Sequence, residues 1–127
     1  MLRAIGGTVL GCVAAVAIVW AVEMASSTAF PLPMDVKDPA RLGDMMDDIP
    51  LAAKLCVVGG WWLGTAFGGW LANAVGRARW PALAVGVLMT ASVVVTIATL
   101  PHPLWMQIAG VLGPLAIAGL LWRPRRA

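Results

Sequence analysis

The chain alternates between long apolar segments and shorter polar ones. Four of the apolar segments are long enough to cross a membrane as helices, since one span needs about 20 residues. We predict these spans at about residues 4–24, 51–75, 81–100 and 104–122. A long polar loop, 25–50, separates the first two spans, and short links near 76–80 and 101–103 separate the others. Four helical spans make the predicted fold all-α. Because short links hold neighbouring helices antiparallel, we expect the spans to form one integral membrane four-helix bundle.

A short amphipathic helix is predicted inside the long loop. Asp38 and Pro39 form a typical helix start, with an N-cap residue followed by a proline in the first turn. Apolar side chains then recur at helical spacing, at Leu42, Met45, Met46 and Ile49. We expect this helix to lie on the outer surface or to cap the bundle.

Composition supports the same fold class. Of 127 residues, 61% are hydrophobic and 12% are charged, and the mean hydropathy is +0.87. A soluble domain has about 45–50% apolar and about 25% charged residues. This composition excludes a soluble enzyme. No nucleophile–base pair, metal-ligand group or phosphate-binding loop is evident, so we expect no enzyme activity, no cofactor and no metal.

The positive charges predict an orientation. Nine basic residues against six acidic ones give a net charge of +3, and most of the basic residues lie at the ends of the apolar segments. With the N-terminus inside, six arginines lie on the cytoplasmic side, against Lys37, Arg41 and Lys54 outside. We therefore predict a bacterial inner-membrane protein with both termini cytoplasmic and loop 25–50 extracytoplasmic. The expected partner is the lipid bilayer, and binding of nucleic acid is not expected.

The second span carries a small-residue face, on which every fourth residue is glycine or alanine. Its members are Gly60, Gly64, Gly68, Ala72 and Gly76. Small residues let helix backbones approach closely, which drives helix association inside a membrane. This face packs either within one bundle or against another protein, as in a homo-oligomer or a larger membrane complex.

A second candidate site consists of polar residues near the outer ends of the spans. Glu23 and Lys54 are the ionisable groups within the spans, and their matching depths permit an ion pair. His102 and Gln107 lie at similar height, so the four residues form a candidate polar vestibule. Such a vestibule suits handling of a proton, an ion or a small solute. In the alternative interpretation, Lys54 extends to the membrane interface and Glu23 simply lies near water.

Several short motifs resemble those of small bacterial four-span inner-membrane proteins of uncharacterised function. They are Phe30-Pro31-Leu32-Pro33, Ile49-Pro50, Gly60-Trp61, Gly68-Gly69-Trp70 and Pro101-His102-Pro103. The resemblance covers most of the chain and implies the four-span fold, but it assigns no catalytic residue.

Two functional hypotheses follow. The first, which we favour on the sequence, is a structural or accessory membrane protein that associates through its glycine-rich helix faces. The second is a transporter or channel for a small solute, an ion or protons, with the outer polar vestibule as its entrance. A membrane enzyme is a third class, and no residue pattern supports it.

Overall fold

The computed structural model describes residues 1–31 and 45–124, and within them four long α-helices form a bundle without strands. The helices are α1 (Leu2–Ala29), α2 (Leu51–Gly76), α3 (Trp80–Thr99) and α4 (Leu104–Trp122). Each helix is long and apolar enough to cross a membrane. The prediction of an all-α four-helix bundle is confirmed, and α2, α3 and α4 begin and end within one residue of their predicted limits.

The first helix is longer than predicted, because it continues through residues 25–29, which we had placed in the loop. The hydroxyl groups of Ser27 and Thr28 each donate a hydrogen bond of 2.9 Å to the carbonyl oxygen of Met24. The helix ends where the backbone N–H of Phe30 donates to the Ser26 carbonyl oxygen. Five extra residues lengthen α1 by about 7 Å, so its polar end extends past the predicted apolar span.

The predicted loop helix is described only in its last part. Its start at Asp38 and Pro39 and its stripe residue Leu42 lie outside the described residues. Residues Met46–Asp48 form a single 3-10 turn. Met46 is buried and Ile49 is half-buried, so the apolar side of this segment packs against the bundle.

Helix α2 is the central helix of the bundle and packs against α1, α3 and α4. Helix α1 packs along α2 and also contacts α3, whereas α3 pairs with α4. The alternating directions give the bundle two ends. We call the end with the last turn of α1, the start of α2 and the α3–α4 turn the loop end, and the opposite end the terminal end.

Helices α1 and α2 approach each other so closely that backbone contacts backbone. A Cβ atom added to Gly68 would lie 2.5 Å from the carbonyl oxygen of Gly11, and one on Gly64 would lie 2.8 Å from that of Ala15. All five residues of the small-residue face are buried: Gly60, Gly64, Gly68, Ala72 and Gly76. This face is therefore covered by α1 of the same chain.

Two adjacent tryptophans join α2 to α4 at mid-bundle. Trp61 is 4% exposed and fills the space beside Gly110, where an added Cβ would lie 2.6 Å from its ring. The indole N–H of Trp62 donates a 2.9 Å hydrogen bond to the carbonyl oxygen of Ala109. That carbonyl lies one turn before Pro114, which is buried inside α4. Both tryptophans thus make helix-packing contacts.

Candidate functional site

A cavity of about 640 Å³ lies at the loop end, between the last turns of α1, the 3-10 turn, the start of α2 and the α3–α4 turn. Eleven of the 17 lining residues that the structure describes are apolar. The polar lining residues are Glu23, Ser26, Ser27, Asp48, Lys54 and His102. Ligand-binding cavities usually have this size and this combination of an apolar wall with a few convergent polar groups.

Glu23 and Lys54 reach the cavity from helices that run in opposite directions. Glu23 lies six residues before the end of α1, which is about 9 Å along the helix axis. Lys54 lies in the first turn of α2, where its backbone N–H donates to the carbonyl oxygen of Pro50. Among the described residues the two side chains form no ion pair within 4.0 Å. Both charged groups therefore stand separately on the cavity wall.

His102 is held in the α3–α4 turn by hydrogen bonds at its ring and its backbone. Its Nδ1 atom lies 2.9 Å from the carbonyl oxygen of Leu100. Because a carbonyl oxygen accepts but cannot donate, Nδ1 is the atom that carries the hydrogen of this bond. The ring centroid of His102 is 6.2 Å from that of Trp61.

Gln107 supports this turn from α4. Its Nε2 donates a 2.9 Å hydrogen bond to the carbonyl oxygen of His102, and the residue is not part of the cavity wall. Three of the four predicted vestibule residues, Glu23, Lys54 and His102, thus line one cavity, and Gln107 positions one of them. The sequence analysis did not single out Asp48, which is exposed and also lines the cavity.

An apolar cluster lies beneath the cavity, toward mid-bundle. Its buried members are Val58, Trp61, Val93 and Met106. Met106 also lines the cavity and is 2% exposed, so it forms part of the floor. A solute that enters from the loop end therefore meets a packed hydrophobic layer before it reaches the centre of the bundle.

The described residues of the lining do not by themselves meet the requirements of a metal site. Within residues 1–31 and 45–124, no group of three or more His, Cys, Asp or Glu side chains converges in a way that would hold a metal ion. The chemistry available at the cavity is charge pairing, hydrogen bonding and apolar contact.

Comparisons with protein families, with curated proteins and with solved structures give no match. The resemblance to small bacterial four-span proteins stays a prediction. The geometry of the cavity is therefore the basis for a functional proposal.

Proposed function

We propose that this chain is a small membrane transporter that binds its solute in the loop-end cavity. The solute is a small organic molecule with an apolar body and a positive charge. The observation that carries this proposal is the convergence of Glu23, Lys54 and His102, from three different parts of the fold, on one largely apolar cavity of about 640 Å³. A mostly apolar wall with a few polar groups is typical of sites for organic ligands.

The size and lining of the cavity favour an organic solute over a bare ion or a proton. A bare ion needs a compact shell of oxygen or nitrogen ligands, whereas 11 of the 17 lining residues here are apolar. The charge balance favours a cation. Among the described lining residues, Glu23 and Asp48 are acidic and Lys54 is basic, so carboxylates outnumber ammonium groups there.

Transport requires a second arrangement of the helices, because Met106 and the cluster beneath it close the cavity floor. Helix α4 has a natural site for such a change. Pro114 lacks the N–H that would bond to the carbonyl oxygen of Gly110, so the helix is weakened at this turn. We propose that bending at Pro114 moves Met106 away from the cavity floor.

The proposed location is the bacterial inner membrane, with both termini cytoplasmic and residues 25–50 extracytoplasmic. The arginines near the terminal end support this orientation. The test uses a cysteine-free variant, in which both free thiols are replaced by alanine, with Ser27→Cys or Pro124→Cys added. A membrane-impermeant maleimide should label intact cells at position 27 and not at position 124. Labelling at position 124 alone contradicts the orientation.

Equilibrium binding of tritiated tetraphenylphosphonium, an amphipathic organic cation, tests the cavity in the purified full chain. Glu23→Gln should weaken binding about tenfold, because two opposite unit charges about 4 Å apart attract each other by about 1–4 kcal/mol in water or near a protein surface, and tenfold corresponds to about 1.4 kcal/mol. Asp47→Asn is the matched control, since Asp47 is exposed and does not line the cavity. Unchanged binding by Glu23→Gln, or equal loss in both variants, contradicts the proposal.

A structural or accessory role in a membrane complex is the second proposal. The face we expected to mediate it, on α2, is covered by α1 of the same chain. A partner would have to contact the large apolar side chains that point away from the bundle, such as Val16, Trp20 and Phe67. Native mass spectrometry from mild detergent distinguishes the two proposals. A stable dimer or a co-purifying subunit supports the accessory role, and a monomer contradicts it.

A further inference from the structure

A second cavity, of about 410 Å³ and with a more polar lining, lies at the terminal end of the bundle. Three arginines line it, and each comes from the end of a different helix: Arg77 follows α2, Arg79 precedes α3 and Arg123 follows α4. All three are exposed, so their guanidinium groups are accessible to a ligand.

No carboxylate lies near these arginines in the part of the chain that the structure describes. The acidic residues there are Glu23, Asp47 and Asp48, and all belong to the loop end. The 26 residues of α2 separate the two ends by about 38 Å. Three positive charges that have no carboxylate beside them within residues 1–31 and 45–124 favour binding of an anion, and guanidinium groups match phosphate oxygens in geometry.

Asn73 fixes the helix ends that carry the arginines. Its side-chain oxygen accepts a 2.9 Å hydrogen bond from the backbone N–H of Ala82 in α3. Its side-chain nitrogen donates a 3.3 Å hydrogen bond to the carbonyl oxygen of Leu121 in α4. One amide therefore ties α2 to α3 and to α4, so the cavity is held in place by the fold.

The backbone at Arg77 ends α2 in a left-handed conformation. This residue has φ 50° and ψ 33°, a left-handed conformation that glycine adopts at much lower cost. It is the one non-glycine residue with positive φ among the described residues.

Apolar side chains beside the arginines favour a lipid over a free anion as the ligand of this cavity. Trp70 lines the same cavity and is 48% exposed. Its ring lies at a tilt beside that of Phe67, one turn earlier in α2, with 5.7 Å between the ring centroids. Leu120 also lines the cavity and is 60% exposed. A phosphate group at the arginines would therefore have apolar surface next to it for acyl chains.

We propose that the terminal-end cavity binds the phosphate headgroup of an anionic phospholipid, with Arg77, Arg79 and Arg123 as the headgroup ligands. Basic pockets between membrane helices commonly hold such headgroups. This site is separate from the solute cavity, and the inference does not depend on the transport proposal.

Native mass spectrometry of the full chain in an uncharged detergent tests the lipid site. The protein is titrated with phosphatidylglycerol or with phosphatidylcholine. We expect phosphatidylglycerol to be retained preferentially, and each of Arg77→Gln, Arg79→Gln and Arg123→Gln to weaken its binding about fivefold. Arg3→Gln is the control, because Arg3 is an exposed arginine near the same end of the bundle and does not line the cavity.

Three outcomes would overturn the proposal. One is equal retention of the two lipids, and another is an equal loss of binding in Arg3→Gln, which would indicate general charge attraction. The third concerns the source of the phosphate: displacement of the lipid by inorganic phosphate at matched concentration would indicate a site for a free anion. Far-ultraviolet circular dichroism checks that each variant remains folded, which we expect because all the substituted side chains are exposed.

Discussion

Comparing Gly68→Ala with Gly59→Ala measures how much the close approach of α1 and α2 stabilises the bundle. Both glycines lie within α2, nine residues apart. Each substitution gives the same gain in helix propensity, about 0.5–1 kcal/mol. The two sites differ in what the new methyl group contacts, so the difference between the variants isolates helix packing.

The structure sets the size of the effect. A Cβ atom on Gly68 would lie 2.5 Å from the carbonyl oxygen of Gly11 and 2.8 Å from the Cβ of Ala15, whereas one on Gly59 would meet no described atom within 4 Å. Favourable contacts begin at about 3.5 Å, so α1 has to move away by about 1 Å at Gly68. Because the clash is with backbone, no side-chain rotation relieves it. Overpacking of this kind costs about 1–3 kcal/mol.

The assay is the free energy of unfolding in mixed micelles of a neutral detergent and sodium dodecyl sulfate, followed by circular dichroism. We expect Gly59→Ala to be as stable as the wild type or more stable, and Gly68→Ala to be less stable than Gly59→Ala by about 1–3 kcal/mol. Equal stability of the two variants would refute the conclusion that α1 and α2 pack through this glycine face.

Three further predictions use the same unfolding assay. Trp62→Phe should lower the free energy of unfolding by at least about 1 kcal/mol, because it removes the hydrogen bond to Ala109 and leaves a smaller aromatic ring; no change would mean that the bond is not formed. Gly110→Ala should destabilise the bundle by about 1–3 kcal/mol and shift the emission of Trp61, since the new methyl group displaces that ring; unchanged emission contradicts this packing. Arg77→Gly should stabilise the protein by about 1 kcal/mol by relieving the left-handed strain, and yet weaken binding of phosphatidylglycerol; a loss of stability contradicts the strain.

Hydrophobic patterning predicted the helices well and their polar extensions poorly. The limits of α2, α3 and α4 follow from proline, glycine and arginine residues next to the apolar runs, which mark both the helix end and the edge of the membrane. The end of α1 differs, because Ser27 and Thr28 return hydrogen bonds to Met24 and keep the chain helical beyond its apolar part. A polar residue ends an apolar run without ending a helix.

The candidate sites were only partly predictable for a related reason. The number of residues from each position to the end of its span can be counted in the sequence, and it placed Glu23, Lys54 and His102 at the same depth. Rotation about the helix axis and contacts between helices cannot be counted in this way. Asn73 was therefore missed, although a lone amide in an apolar helix was a usable signal, since polar groups inside spans need partners.

Ligand protection of a cysteine placed in the loop-end cavity tests the proposed solute site most directly. In the cysteine-free background, Ser26→Cys puts a thiol on the cavity wall, and Thr28→Cys puts one on the same helix outside the cavity. We predict that tetraphenylphosphonium slows maleimide labelling several-fold at position 26 and leaves position 28 unchanged. Equal labelling of position 26 with and without the cation, or equal slowing at both positions, would contradict a solute site in this cavity.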